Sequence, residues 1–423
     1  MTDAASILLS LSIALLAGLL LSRVVKKVNL PAVTAYLIAG VIIGPFCLGA
    51  LNIKGLGITH EQLKGFGIIC DLALGFIAFS MGNEFRLHEL KQIGKKATII
   101  GIFQAVFTAI VVDVILIIVH LTNPDKLSLS SAIVLGAVAT ATAPAATLMV
   151  VRQYKAKGPL TDILLPVVAL DDAVGLIVFA VSFGVAKSLN TGSVDVLSVV
   201  LEPIIEVIAS LGLGALMGFL FDFTEKFFHS RSKRMSVTVT FVAMTVALSS
   251  LKFHIGSVHV GFSSLLSCMM LGTIFCNICD FSDELMRRTD RWVTPILILF
   301  FVISGAELEL SVFKDGVIVL IGVIYIIARS LGKYFGANIS ARISHCDKNI
   351  IKYLGITLLP QAGVALGMAM KAIELGPNGI IVRNITLFAV LVYEIVGPYL
   401  TKVCLTKSGD INPEGKTSAR GEA

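Results

Sequence analysis

An all-α polytopic membrane protein with about 13 transmembrane helices is the fold class this sequence predicts, on three observations. The 423 residues are 56% hydrophobic and only 15% charged, with a mean hydropathy of +0.90; a soluble domain carries about a quarter charged residues. The apolar residues gather in runs of roughly 20, the length that crosses a bilayer as a helix. The loops between them are short, and no Gly/Ser/Pro linker sets off a soluble domain. This composition excludes a secreted disulfide scaffold, a disordered chain and a nucleic-acid-binding domain. No nucleic acid partner is expected, and the lipid bilayer is the surrounding medium.

The apolar runs lie near 5–22, 31–50, 66–82, 97–121, 129–151, 160–186, 196–220, 235–251, 258–275, 293–308, 316–336, 353–373 and 380–402. The first is read as a span and not a signal peptide, because no basic residues precede it. Residues 1–403 are expected to form one transmembrane domain, and 404–423 a short, polar, disordered cytoplasmic tail. The seven cysteines are scattered through the apolar stretches and their edges; they are expected to be free thiols, the lone Cys276-x-x-Cys279 included. Orientation follows from the loops. Of the 34 Lys and Arg, 24 fall after the odd-numbered spans, eight in the opposite loops, and Arg329 and Lys333 inside span 11. The positive-inside rule therefore places the N-terminus outside and the C-terminus in the cytoplasm of a cell membrane.

With span 7 as a linker, spans 1–6 and 8–13 make two sets of six in opposite orientation, the arithmetic of inverted repeats. Helix-breaking sequence recurs in matched spans. Span 5 contains Thr140-Ala141-Thr142-Ala143-Pro144, and span 12 contains Leu358-Leu359-Pro360-Gln361-Ala362-Gly363. A proline inside a helix removes a backbone donor and disrupts the ladder by about 3 kcal/mol or more. Two half-helices crossing at mid-membrane would aim dipole ends and open carbonyls at a cation path. Kinked but continuous helices are the simpler reading of either span alone; the matched spacing favours the broken pair.

Span 6 carries adjacent acids, Asp171-Asp172, in an otherwise apolar run. One carboxylate at the bilayer centre costs about 2.5–3.5 kcal/mol on the insertion scale, and two repel each other. Such a pair is expected to serve a purpose. Neighbouring helix positions point about 100° apart, so one acid can face a cavity while the other meets a partner helix. Two carboxylates with hydroxyl and carbonyl oxygens make the hard-oxygen site that sodium or lithium prefers. Arg329 and Lys333, four apart, share a helix face and supply countercharge. Snorkelling to the headgroups is their alternative role, less apt for Lys333, where Gly332 and Gly336 leave room for a partner helix. Asp71 and Asp113 are expected to form structural ion pairs. Glu394, in span 13, is expected to neutralise Arg329 or to hold the fold.

At these residues the chain resembles the monovalent cation:proton antiporter superfamily, over nearly all its spans. Leu30-Pro31-Ala32-Val33, Tyr36-Leu37-Ile38-Ala39-Gly40 and Gly44-Pro45 resemble its opening. Lys157-Gly158-Pro159-Leu160 leading to Asp171-Asp172 resembles its core, and Phe300-Phe301-Val302-Ile303-Ser304-Gly305 with Arg329 and Lys333 its later half. The acid pair with a membrane lysine is similar to the NapA-type electrogenic sodium/proton antiporters; electroneutral relatives typically have asparagine before the aspartate. The resemblance implies an NhaA/NapA-like fold with two crossed discontinuous helices, a core bundle, a dimerisation bundle, a homodimer and an elevator-like alternation. It implies Asp172 as the main cation and proton ligand, Asp171 paired with Lys333 when sodium is absent, and Thr140, Thr142, Pro144, Pro360 and Gln361 at the crossover. Many relatives carry aspartate or serine where this chain has Ala143, which leaves the choice of cation open.

The function expected is exchange of cytoplasmic sodium or lithium for external protons, with no enzymatic activity and no cofactor beyond the transported ions. Potassium/proton exchange is the first alternative. An intramembrane aspartyl protease needs two acids from different helices sharing a proton, and no Gly-x-Gly-Asp stretch occurs. A passive channel needs a symmetric ring or pore loop. No phosphate-binding Gly-rich loop or H-E-x-x-H is present.

Overall fold

The computed structural model describes residues 3–26, 32–51, 57–83, 85–87, 94–143, 147, 150–151, 154–191, 196–251, 253–255, 258–308 and 315–411. The motif residues Leu30, Pro31 and Pro144, and the tail from 412 onward, lie outside them. Among the described residues the helices of ten residues or more are α1 (Asp3–Lys26), α2 (Ala32–Ile43), α3 (Gly67–Gly82), α4 (Gly94–Thr122), α5 (Leu129–Val138), α6 (Pro159–Thr191) and α7 (Val196–Glu225). They continue with α8 (Arg231–Ser249), α9 (Ser264–Ile278), α10 (Ser282–Ala306), α11 (Gly316–Ile343), α12 (Lys348–Thr357), α13 (Gly363–Ala372) and α14 (Pro377–Ser408). Among the described residues eight helices are long and apolar enough to cross a membrane, and α3, α5 and α9 are shorter apolar helices. The chain is a multi-pass, helical membrane protein.

Two expectations need correction. The ninth run was expected to be helical from residue 258, but Val258–Val260 pairs antiparallel with Phe253–Ile255 as a small β-hairpin, and α9 starts only at Ser264. Ser263 sets that start, its hydroxyl accepting from the Leu266 amide at 3.4 Å. The tail was expected from residue 404, but α14 continues to Ser408, and Asp410 and Ile411 are buried. Among the cysteines the expectation of free thiols agrees with the structure: all seven are free, five of them buried.

The chain divides into two compact units. One comprises Met1–Val25, Ala35–Leu90 and Ala180–Glu309. Its core stacks Phe221 on Phe275 at 4.0 Å between ring centroids, with Phe79 tilted against both. Leu8, Leu16 and Leu20 of α1 and Leu216, Phe219 and Phe223 of α7 stay exposed, a costly surface in water and a favourable one in lipid.

The other unit comprises Lys26–Thr34, Lys91–Phe179 and Leu310–Ala423, and it contains most of the candidate site. Two of its helix starts, those of α5 and α11, are capped by the side chain of the preceding residue. The Ser128 hydroxyl accepts from the Ser131 amide at 3.1 Å at the head of α5. Asp315 accepts from the Val317 amide at 3.0 Å at the head of α11. Asp315 also pairs with Lys126, whose hydrogen bond holds its carboxyl below the usual range. A carboxyl depressed in this way contributes stability above about pH 4 that is lost as the pH falls through the lowered value.

Helix α11 comes close to α4 because its facing residues are small. A Cβ on Gly332 would lie 3.0 Å from Thr108 Cα, and one on Gly336 3.1 Å from Gln104 Cα. The glycines flanking Lys333 thus admit α4 as the partner helix, carrying Gln104 to the lysine's side of the bundle.

Candidate functional site

Helix α5 stops at Val138, residues 141–143 are not helical, and Thr147 is helical again. Helix α12 stops at Thr357, and α13 begins at Gly363 after Leu358 to Ala362. These interruptions meet. The Ala143 amide donates to the Pro360 carbonyl at 2.8 Å, and the Thr142 hydroxyl lies 3.3 Å from the Leu358 carbonyl. Gln361 donates through Nε2 to the Val138 carbonyl at 2.9 Å and to the Tyr325 hydroxyl at 3.2 Å. Ala143, Ala362 and Val33 fill the space beside the crossing. Both spans are broken helices in this structure, not kinked continuous ones.

Each interruption frees backbone carbonyls that need donors. Arg329 supplies them. It is fully buried, and its guanidinium donates through Nε to Ala139 O at 3.0 Å, Nη2 to Ala141 O at 2.7 Å and Nη1 to Leu359 O at 2.8 Å. The Tyr393 ring stacks 4.5 Å below it. One planar fork therefore ties the carbonyls of both interruptions to α11, a task suited to guanidinium and not to an ammonium.

One turn further along α11, Lys333 is 0% exposed. Its ammonium forms an ion pair with Asp171, donates to the Thr140 carbonyl, and reaches the Thr142 hydroxyl at 3.0 Å. Asp171 also accepts from Gln104 Nε2 and from the Thr142 hydroxyl. Burying two charges costs several kcal/mol each unless the geometry and further hydrogen bonds compensate; here two polar neighbours and a backbone carbonyl complete the pair. Asp172, 1% exposed, is the next residue of α6 and acts electrostatically on the same ammonium. Helix α6 is held near the crossing by Gly175, where a Cβ would come 2.5 Å from the Thr140 hydroxyl oxygen. The oxygens gathered within this unit are two carboxylates, two threonine hydroxyls and freed carbonyls. Among the described residues no group of three or more His, Cys, Asp or Glu suits a resident metal ion.

The other expected residues divide. Snorkelling is ruled out for Arg329 and Lys333 by their burial. Glu394 was expected to neutralise Arg329 or to hold the fold. Among the described residues it makes no pairing with Arg329, whose guanidinium is taken by carbonyls. The buried carboxylate instead accepts from the Thr34 hydroxyl at 3.4 Å, a contact between α14 and α2. Asp113 was expected in an ion pair, but among the described residues it makes none, and its carboxylate packs against Gly136 of α5. Asp71 is exposed on α3 and belongs to the unit that does not contain the crossover. Gln104, Tyr325 and Tyr393 were not anticipated. Tyr325 is discoverable in retrospect, since it continues the Arg329–Lys333 stripe at the same four-residue spacing.

Discontinuous helices that cross beside a buried acid–lysine pair, within a multi-pass helical bundle, define a secondary transporter. The chain belongs to the sodium/hydrogen exchanger family: the family model described as "Sodium/hydrogen exchanger, transmembrane" matches residues 11–407. It is similar to the Na(+)/H(+) antiporter NhaS4 of Synechocystis sp., at 23% identity over 94% of this chain and 96% of that one. A more distant likeness is to the ammonium/H(+) antiporter subunit AmhT of Alkalihalophilus pseudofirmus, 22% identical over 67% of this chain and 66% of that protein. The fold matches that of the sodium proton antiporter MjNhaP1 of Methanocaldococcus jannaschii, with a TM-score of 0.74 and 18% identity over 94% of this chain and 97% of that one.

Proposed function

We propose that this chain is a secondary active antiporter that exchanges cytoplasmic sodium, or lithium, for external protons, electrogenically and by alternating access. The observation that carries the reading is the buried Asp171–Lys333 pair at the crossing of two broken helices, with Asp172 beside it. In this mechanism protons and the cation compete for the carboxylates. Cation binding at Asp172 and Asp171 displaces the lysine, which then passes on its proton. Two protons entering per sodium expelled move one net charge, and the membrane potential then contributes about 2.3 kcal/mol per 100 mV. The chain through the end of α14 acts as the transport domain with spans 1–6 and 8–13 as inverted repeats, in a homodimer in the cell membrane with its C-terminus in the cytoplasm. Asp113, Asp71 and Glu394 have supporting roles.

Another monovalent cation is the second reading. What favours it is Ala143, whose side chain offers no oxygen, together with the likeness to an ammonium/proton antiporter subunit. The test is proton flux in sealed proteoliposomes on addition of sodium, lithium, potassium or ammonium, at clamped membrane potentials. Sodium and lithium are expected to trigger potential-sensitive flux. A response to potassium or ammonium alone would select the second reading. Lys333→Gln is expected to keep cation-triggered flux but lose its sensitivity to potential; retained sensitivity would exclude the lysine as carrier of the second proton.

A further inference from the structure

The chain beyond α14 closes on the start of α6, the helix that bears Asp171 and Asp172. Helix α6 begins at Pro159, and Gly158 before it has no side chain with which to cap the free amides of the first turn. Asp410, 5% exposed, performs that task from 249 residues away. Its Oδ2 accepts from the Thr161 amide at 2.7 Å and from the Thr161 hydroxyl at 2.8 Å. Its Oδ1 accepts from the Ser408 hydroxyl at 3.0 Å, and its backbone carbonyl from the Lys157 amide at 2.9 Å. The fit leaves no room: a Cβ on Gly158, at φ +157°, would come 2.6–2.9 Å from the carboxyl atoms. Gly409, at φ +88°, turns the chain out of α14, and buried Ile411 anchors it among Leu160, Leu164 and Leu354.

The need for an external restraint is visible in α6 itself. Pro166 lies inside the helix and removes the donor that would bond the Asp162 carbonyl. The first two turns are thus joined less firmly to the turns that hold the acid pair. A carboxylate on the amide end of the helix offsets that weakness, with the favourable sign for the helix dipole.

The geometry points to Asp410 as a positioning residue: it is a cap in trans that sets where α6 begins, and so how the Asp171–Asp172 turn is presented to the crossing. The transport consequence rests on the antiport reading; the cap has a readout of its own. The experiment combines hydrogen–deuterium exchange with cation-triggered proton flux on the full-length protein in lipid. For Asp410→Ala, amide exchange at residues 160–165 is expected to rise about fivefold, the loss of one helix cap. The half-saturating sodium concentration is expected to rise several-fold, with little change in maximal rate. Asp410→Asn keeps the acceptor oxygen and restores both. Gly158→Ala, which pushes the carboxylate away from the other side, reproduces the Asp410→Ala result and serves if that variant does not fold.

Unchanged exchange at 160–165 in both Asp410→Ala and Gly158→Ala would overturn the cap. Faster exchange with an unchanged half-saturating concentration, or failure of Asp410→Asn to restore it, would overturn the positioning role. Wild-type protein without cation-triggered flux would instead overturn the antiport reading and with it the transport half of the proposal, the exchange data still deciding the cap.

Discussion

Asp172→Asn abolishes cation-triggered proton flux in proteoliposomes, down to the level of protein-free vesicles, while the protein remains folded. Asparagine keeps the shape and one acceptor oxygen but can neither carry a proton nor balance a cation. Asp171 is already engaged by Lys333, Gln104 and the Thr142 hydroxyl, so exchange of the transported ions is assigned to its neighbour. Because the substitution removes a buried charge, the variant is not expected to lose stability. A thermal transition at or above that of wild type therefore accompanies the loss of flux. Wild-type flux in this variant would move the exchange to another group, with Glu394 the next buried carboxylate of the same unit.

Arg329→Met is expected to be the most destabilising single substitution in the crossover. The methionine fills most of the volume, but the carbonyls of Ala139, Ala141 and Leu359 lose their donor. A buried acceptor left unsatisfied costs about 1–3 kcal/mol, so three place the loss at about 3 kcal/mol or more. Arg329→Lys does not rescue it, because the three donors of an ammonium leave one nitrogen, whereas the three carbonyls are reached from three separate nitrogens of the guanidinium fork. The check is the thermal unfolding midpoint in lipid or detergent, with both variants well below wild type. A midpoint equal to wild type in Arg329→Met would mean that water satisfies the crossing and that the guanidinium is dispensable.

The features legible in the sequence are those whose energetic anomaly is local. Acids and a lysine in apolar runs are expensive wherever they lie, so Asp171, Asp172 and Lys333 stood out without knowledge of the fold. Pro360 marked its interruption for the same reason, since a proline cannot complete the ladder around it. Gly332 and Gly336 announced a close helix approach but not which helix; α4 and its Gln104 emerge only from tertiary packing. The partners of Arg329 are not legible in the sequence, because the freed backbone carbonyls that bind the guanidinium carry no sequence signal. The pairing of Phe253–Ile255 with Val258–Val260 is hidden for a related reason: hydropathy measures transfer from water and not the direction in which backbone hydrogen bonds run. Asp410 was hidden by sequence distance, its polar surroundings reading as a solvated tail.

The most direct test of competition between sodium and protons is proton release by the purified protein in weak buffer near neutral pH as sodium is added. A saturable release of protons with sodium is expected in the wild type, and none in Asp172→Asn. Sodium binding detected by calorimetry without proton release, or a release that persists in Asp172→Asn, would contradict that competition.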